Sequence, residues 1–194
     1  TGGKILFHGE EVKNTQSSLS KYRSQVGMVF QSFNLFNNMT VLKNCMFGVQ
    51  KILHLSKEEA KLRAIKHLRE VGMAAYINAK PAQLSGGQKQ RVASARAIIT
   101  SPSLVLADEP TGALDSRAAK LLLERFNMLN RELQATILMV THDSFTASYA
   151  SRIIFIKDGK IFHELNRGAD DRKTLFNKII DVVSLLGGDA GDAL

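Results

Sequence analysis

Short apolar runs separated by polar segments dominate the hydrophobic pattern of the chain, and they predict β-strands. Each run spans four to six residues and is followed by polar or turn residues. The runs are Lys4–Phe7, Gln25–Phe30, Leu104–Ala107, Ala135–Val140 and Arg152–Lys157. An Asp-Gly pair follows the last run and leads into Lys160–Phe162, which predicts a hairpin. We expect Leu104–Ala107 and Ala135–Val140 to be buried parallel strands, because their apolar residues do not alternate with polar ones.

Helices are predicted between these runs, because apolar residues recur there at a spacing of three or four. Ser56 and Glu59 form a capping-box pattern that begins one helix, and Gly72 ends it. Asp115 is expected to cap another helix. The helix after Asp115 covers 116–133, and two more are predicted at about 89–99 and 174–186. Strands that alternate with helices indicate the α/β class with a mostly parallel sheet.

The composition is that of an ordinary globular protein, with 44% hydrophobic and 23% charged residues among 194. This length suffices for one sizeable α/β domain, so we expect residues 1–194 to form a single domain. The net charge of +8 permits contact with nucleic acid or with a membrane surface. The basic residues form no block and no aromatic-rich stripe, so nucleic acid is not expected as a partner.

Cysteine content and hydropathy restrict the compartment. Cys45 is the only cysteine, which excludes an internal disulfide and favours a reducing compartment. No apolar run approaches the length of a membrane-spanning helix, and no signal peptide is recognisable. A role at a membrane would therefore require a partner subunit. The chain begins with Thr1 instead of Met, so we expect it to be the remainder of a longer sequence.

Candidate chemistry is concentrated in the LSGGQ motif at 84–88 and in the apolar run that ends at Asp108 and Glu109. Two adjacent glycines leave backbone N–H groups accessible at a helix start that Ser85 can cap, which is a favourable site for phosphate. Ligands of open α/β sheets bind at the carboxyl ends of the strands. An aspartate there can hold Mg2+, and an adjacent glutamate can orient or deprotonate a water molecule.

These motifs together resemble those of the ATP-binding subunits of ABC transporters. In that family LSGGQ is the signature motif, and an apolar run ending in Asp-Glu is the Walker B strand. The resemblance extends to the D-loop at 112–115, to Gln31 in the Q-loop and to His142 in the H-loop. Five motifs occur in the family order, and the resemblance covers nearly all 194 residues.

The resemblance implies a P-loop NTPase-like, mostly parallel sheet with helices on both faces. A helical signature subdomain is expected at about 35–98, and a C-terminal helical tail at about 170–190. The family's sheet has strand order 5-1-4-3-2. Strands 2, 3, 4 and 5 correspond in order to the four runs that begin at Gln25, Leu104, Ala135 and Arg152.

The resemblance also implies a site for ATP between two subunits that pack head to tail. Each ATP lies on the P-loop of one subunit and is covered by the signature motif of the other. By motif, Ser85, Gly86, Gly87 and Gln88 would contact the γ-phosphate bound to the second subunit. Asp115 would couple the two sites across the dimer.

Catalytic and metal roles follow from the same resemblance. Asp108 would position Mg2+, directly or through water, and Gln31, the second residue of the metal site, would report on Mg2+ and on the membrane subunit. Glu109 would be the general base for the attacking water. His142 would hold the γ-phosphate and that base.

A P-loop of the form GxxxxGK[ST] does not occur in this sequence. Its only Gly-Lys pairs, Gly3-Lys4 and Gly159-Lys160, are each followed by Ile. Family members carry about forty more residues upstream, which include the P-loop, so strand 1 and the helix after it are expected to be missing. We therefore expect the complete protein to hydrolyse ATP and this chain alone to be inactive. Strand 5 is expected either to pair directly with strand 4 or to leave edges that recruit another chain.

The partners implied are a transmembrane permease subunit and a second ATP-binding subunit, expected as a homodimer at the cytoplasmic face of the membrane. Phe33, Leu35 and Phe36 lie where the family contacts the permease, although loop residues of this kind are equally often core contacts. The first half resembles polar amino-acid importers. The half after Pro102 resembles peptide-antibiotic exporters, which we favour because the hairpin and tail are less generic features.

Two alternatives from other classes remain open. An ABC-type ATPase of DNA repair would share the signature motif and both carboxylates, but usually carries a long coiled coil or zinc module between the halves. Only about fifty residues separate Gln31 from Leu84, which favours the transporter. A non-catalytic remnant is the other alternative, which the lost P-loop favours.

Overall fold

A computed structural model describes residues 3–188, and these form two compact units that divide between Val140 and Thr141. The strands are β1 (Leu6–Phe7), β2 (Glu10–Glu11), β3 (Val26–Val29), β4 (Leu104–Asp108), β5 (Thr136–Val140), β6 (Arg152–Lys157) and β7 (Lys160–Asn166). The helices are α1 (Gln16–Ser24), α2 (Val41–Ile52), α3 (Lys57–Glu70), α4 (Gly86–Ile98), α5 (Ser116–Leu133), α6 (Ser144–Ala147) and α7 (Arg172–Gly188). No helix within 3–188 has the length and apolarity needed to cross a membrane.

A three-stranded parallel sheet with the order β3-β4-β5 forms the centre of the first unit. Val29 is paired with Ala107, and Asp108 with Val140, so the three strands end at one edge of the sheet. This order confirms that the predicted strands 2, 3 and 4 are neighbours and that the chain is of the α/β class. Helices α4 and α5 are the crossover segments that parallel pairing requires.

Burial of β5 was predicted wrongly. Leu138 and Val140 are 58% and 62% exposed, and Met28 on β3 is also exposed. A parallel strand is buried only where other elements cover it, and β5 is an edge strand of this sheet. The apolar run therefore predicted the strand correctly but did not predict whether other elements cover it.

A core cluster of the first unit lies among α2, α3 and α4, within the part of the chain predicted to be the helical subdomain. Its fully buried members are Val41, Cys45, Val49, Ala60, Ala64, Leu68, Met73, Val92, Ala95 and Ile99. Burial raises the pKa of the Cys45 thiol to about 12, so this cysteine stays protonated and is a core residue. Asn44 on the same helix is also fully buried and binds backbone groups of the preceding loop.

Helix α3 begins as its sequence predicts. The Ser56 hydroxyl accepts a hydrogen bond from the Glu59 N–H at 3.3 Å, and the Glu59 carboxylate accepts one from the Ser56 N–H at 3.0 Å. These bonds satisfy two N–H groups that a helix start would leave unpaired. The Arg63 side chain donates to the Ile99 carbonyl at 2.7 Å, which fixes α3 to the end of α4.

His67 on α3 lies half-buried, and its Nδ1 is 3.2 Å from a carboxylate oxygen of Glu70. Burial lowers the pKa of His67, because the charged imidazolium loses hydration there. The positive charges of Arg63, Lys66 and Arg125 lower it further, and the carboxylate of Glu70 opposes them. The imidazole is therefore harder to protonate in the folded chain than in the unfolded one.

The second unit contains the predicted hairpin. Strands β6 and β7 pair antiparallel, and the turn residues Asp158 and Gly159 have φ of 52° and 74°, as a two-residue hairpin turn requires. Leu175 and Ile179 of α7 pack with Phe155 of β6. Among the described residues β6 pairs only with β7, so the first of the two outcomes expected for strand 5, direct pairing with strand 4, is not observed.

Helices near both ends of the chain differ from the predictions. Helix α7 begins at Arg172, two residues before the predicted start, and includes Gly187 and Gly188, which were expected to end it. Residues 189 and 190 of the predicted tail lie outside the described residues. Near the other end, α1 was not predicted, because its sequence is polar and buries no residue.

Candidate functional site

Residues with carboxylate and amide side chains lie at the carboxyl edge of the parallel sheet. Asp108 is the last residue of β4 and is exposed. The Glu109 N–H continues the strand pairing by donating to the Val140 carbonyl at 2.9 Å. Gln31 is exposed two residues beyond Val29, whose partner Ala107 lies two residues before Glu109. The register of β3 and β4 thus brings these predicted site residues to one edge of the sheet.

Glu109 adopts a left-handed backbone conformation with φ of 44°, which is unusual for a residue other than glycine. Its carbonyl accepts from the Gly112 N–H at 3.2 Å and from the Gln90 side-chain amide at 3.5 Å. Residues in such conformations persist where surrounding contacts hold them, and they occur often at functional sites. The strand therefore ends in a fixed turn that sets the direction of the Glu109 side chain.

The LSGGQ motif forms the start of α4. The Ser85 hydroxyl accepts from the Gln88 N–H at 3.3 Å, and the Gln88 side-chain oxygen accepts from the Ser85 N–H at 2.9 Å. This capping box begins the helix at Gly86, so the predicted start at 89 was three residues too late. Within residues 3–188, the N–H groups of Gly86 and Gly87 donate to no acceptor, which leaves them available to an anion.

The second glycine of the motif is in close contact with the D-loop. A Cβ atom at Gly87 would lie 2.8 Å from the carbonyl oxygen of Ala113, which is shorter than a carbon–oxygen contact allows. A Cβ atom at Gly86 would be 3.7 Å from the Ala113 side chain, which is ordinary contact. The approach of the D-loop backbone therefore explains why position 87 requires glycine.

Asp115 ends the D-loop and begins α5, as predicted. Its carboxylate accepts from the Ala118 N–H at 2.8 Å, and the Leu114 N–H donates to the Thr111 carbonyl at 2.9 Å. The structure thus gives Asp115 a helix-capping role. Its predicted coupling of two sites across a dimer stays a prediction.

The loop after Gln31 is held by a side chain that the sequence reading did not identify. Phe33 and Asn34 have φ of 64° and 45°, and the guanidinium group of Arg96 donates to both of their carbonyl oxygens. Arg96 lies on α4, about two turns after the end of the signature motif. One helix therefore carries both the signature motif and the support of this loop.

A cleft of about 220 Å³ lies beside this loop, and the three predicted interface residues differ in their surroundings. Phe36 is exposed and contacts the exposed Phe47 ring at 5.2 Å between centroids. Leu35 packs against the core of the helical subdomain, and Phe33 is half-buried. The cleft is lined by Ser32, Phe33, Asn34, Leu35, Asn37, Pro81 and Lys89.

His142 belongs to the second unit, where it is exposed. The next residue, Asp143, caps α6 by accepting from the N–H groups of Phe145 and Thr146 at 3.2 and 3.0 Å. The predicted role of His142 toward Glu109 joins residues of different units and stays a prediction.

The residues at the sheet edge fit one part of a Mg2+ site. No group of three or more His, Cys, Asp or Glu side chains within 3–188 could enclose a metal ion. Asp108 and Gln31 offer one carboxylate and one amide oxygen. Mg2+ commonly takes one or two protein oxygens and completes its shell with water and substrate phosphates, so this donor set suits a nucleotide-bound ion.

The chain matches the ABC transporter family model over residues 1–112. It is 46% identical to the ABC transporter ATP-binding protein YxdL of Bacillus subtilis, over 98% of this chain and 74% of that protein. It is 40% identical to the bacitracin export ATP-binding protein BceA of Halalkalibacterium halodurans, over 99% of this chain and 76% of that protein. The glutamate/aspartate import ATP-binding protein GltL of Escherichia coli is 41% identical, over 89% of this chain and 72% of that protein.

A solved structure gives the same assignment for the fold. The ATP-binding cassette MJ0796, in a dimeric post-hydrolysis state bound to ADP and Pi, superposes with a TM-score of 0.81 at 36% identity. The superposition covers 86% of this chain and 74% of that one. The family is thus found by sequence and by structure.

Proposed function

Because the chain belongs to the ABC transporter family of ATP-binding proteins, we propose that it supplies the signature half of an ATP site in a dimer of two such subunits. The start of α4 carries this proposal. Gly86 and Gly87 present N–H groups that no acceptor within residues 3–188 engages, at the positive end of a 13-residue helix. An anion such as the γ-phosphate of ATP on a second subunit fits this site.

The sheet edge would serve the chain's own nucleotide in this proposal. Asp108 and Gln31 would hold Mg2+, which neutralises phosphate charge when bound. Glu109 would orient and deprotonate the attacking water, and its fixed backbone favours a defined direction of approach. His142 would contact the γ-phosphate, and Asp115 would communicate between the two sites.

Glutamine substitution tests the role of Glu109. The protein for this test is the chain joined to a P-loop segment, for example that of the Bacillus subtilis relative. Glu109→Gln should reduce ATP turnover to near background and still permit ATP-driven dimerisation, because the amide binds water but cannot accept its proton. Glu124→Gln, the same change on an exposed residue of α5, is the matched control.

Steady-state turnover and size-exclusion chromatography with and without ATP measure these effects. A Glu109→Gln protein that keeps most of its turnover would exclude Glu109 as the base. Turnover without any ATP-dependent dimer would exclude the proposed site between two subunits.

The transported substrate is proposed to be an antimicrobial peptide or related compound, moved outward with a transmembrane permease subunit at the cytoplasmic face of the membrane. Support comes from the extent of the similarity. The bacitracin export relative aligns over 99% of this chain and the glutamate/aspartate import relative over 89%, at nearly equal identity. The longer alignment agrees with the exporter-like hairpin and tail.

Polar amino-acid import is the second candidate, because GltL is 41% identical. Two measurements on cells that express the protein with its permease distinguish the candidates. Export predicts that Glu109→Gln lowers the bacitracin concentration that stops growth and leaves glutamate uptake unchanged. Loss of labelled glutamate uptake with unchanged bacitracin resistance would favour import.

A further inference from the structure

Gln90 is a buried polar residue on α4 that no motif role explains. Its side chain is 1% exposed, and buried amide groups need hydrogen-bond partners. The Nε2 atom lies 3.5 Å from the carbonyl oxygen of Glu109, to which it donates. We propose that Gln90 is a positioning residue that holds the backbone of Glu109. This inference rests on the proposed function, which makes Glu109 the general base.

The Glu109 backbone is fixed from three directions. Its N–H donates to Val140 of β5, and its carbonyl accepts from the Gly112 N–H and from Gln90. The left-handed conformation of Glu109 is unfavourable for a residue with a Cβ, so it depends on these contacts. Of these three contacts, the one from Gln90 is made by a side chain and comes from a helix.

The same face of α4 touches the other end of this turn. Gly87 and Gln90 are three residues apart, so they lie on one side of the helix. Gly87 approaches the Ala113 carbonyl while Gln90 binds the Glu109 carbonyl. A displacement of the signature motif would therefore move the backbone that carries the base. Binding of the γ-phosphate at one site would thereby affect the position of Glu109, which activates water at the other site.

Two substitutions separate the donor from the shape of the side chain. Gln90→Met keeps the length without the donor, and Gln90→Asn keeps a donor that is too short to reach. In the P-loop-bearing protein, both should lower kcat about tenfold or more, because small misplacements of reacting groups are costly. The KM for ATP should change less than about twofold, since nucleotide binding itself is not altered.

Ser94→Ala is the matched control. Ser94 is also fully buried on α4, and its hydroxyl donates a hydrogen bond to the Gln90 carbonyl at 2.9 Å within the helix. This change therefore removes a buried polar group of α4 without removing the contact with Glu109. Its kcat should stay near that of the unsubstituted protein. A folded Gln90→Met or Gln90→Asn protein with unchanged kcat would overturn the inference.

Amide exchange of Gly112 gives a readout that does not need turnover. The Gly112 N–H donates to the Glu109 carbonyl, so its exchange in Gln90→Met should become about tenfold faster if Gln90 holds that carbonyl. Unchanged exchange would overturn the inference even in an inactive protein. Absence of turnover in the unsubstituted protein, with the exchange effect present, would instead refute the proposed function.

Discussion

Alanine at the two signature glycines should affect stability differently. Both substitutions lie in the first turn of α4, so both gain a similar, small amount of helix propensity, at most about 1 kcal/mol. A Cβ at position 86 meets only ordinary contacts at 3.7 Å or more. A Cβ at position 87 would lie 2.8 Å from the Ala113 carbonyl, and neither the helix nor the D-loop backbone can yield without strain. Gly86→Ala should therefore be neutral or stabilising and Gly87→Ala destabilising.

The difference between the two variants isolates the close contact, because the propensity gain cancels. Forcing an extra methyl group into a packed site costs about 1–3 kcal/mol. With a urea dependence of about 2 kcal/mol per M, the unfolding midpoint of Gly87→Ala should lie about 0.5–1.5 M below that of Gly86→Ala. Urea titration followed by circular dichroism measures both midpoints. Equal midpoints would show that the D-loop moves aside, and would refute the claim that its backbone dictates glycine at 87.

Burial holds the pKa of His67 below its usual value, so the unfolded chain binds the proton more readily. The free energy of unfolding should therefore be fully retained above about pH 6.5 and should decrease as the pH falls below that value. The decrease should be less steep in His67→Gln, and identical pH profiles of the two proteins in urea titrations would contradict this. Amide exchange should be faster in β5, which pairs on one side, than in β4, which pairs on both. Equal protection in a monodisperse monomer would show that the edge of β5 is covered. Calorimetric titration of residues 1–194 with Mg-ATP should give a Kd well above about 1 µM, because one helix terminus replaces a full phosphate cradle. Micromolar affinity would mean that the phosphates bind elsewhere.

Local patterns correctly predicted three helix-capping residues and the hairpin, although the first residues of α4 and α7 were misplaced. Caps at Ser56, Ser85 and Asp115 depend on bonds to residues three positions away, so their sequence signals contain the whole interaction. The same holds for the turn at 158–159, whose two residues tolerate positive φ. Interactions that close within a few residues can be predicted from the sequence.

Burial of β5 and the supports of the candidate site depend on distant residues. Leu138 has the hydrophobicity of a buried strand residue, but its exposure is decided by what covers the sheet. Gln90 contacts a residue 19 positions away, and Arg96 contacts one 62 positions away. One signal was present, because Gln90 and Ser94 are polar residues four apart on a helix side otherwise rich in Ala, Val and Ile. That spacing indicated a buried polar contact but not its partner.

Helix α4 can act as a lever, because its two ends hold different parts of the site. From Gly86 to Arg96 it spans about 15 Å at 1.5 Å per residue. A tilt of about 10° about its first turn would displace the Arg96 end by about 3 Å. The carbonyl groups of residues 33 and 34, to which Arg96 donates hydrogen bonds, would move with it. Coupling between binding free energies is reciprocal, so binding of a partner at the exposed ring of Phe36 would affect anion binding at the glycines to the same extent. The stiffness of this one helix would therefore limit the coupling between its two ends.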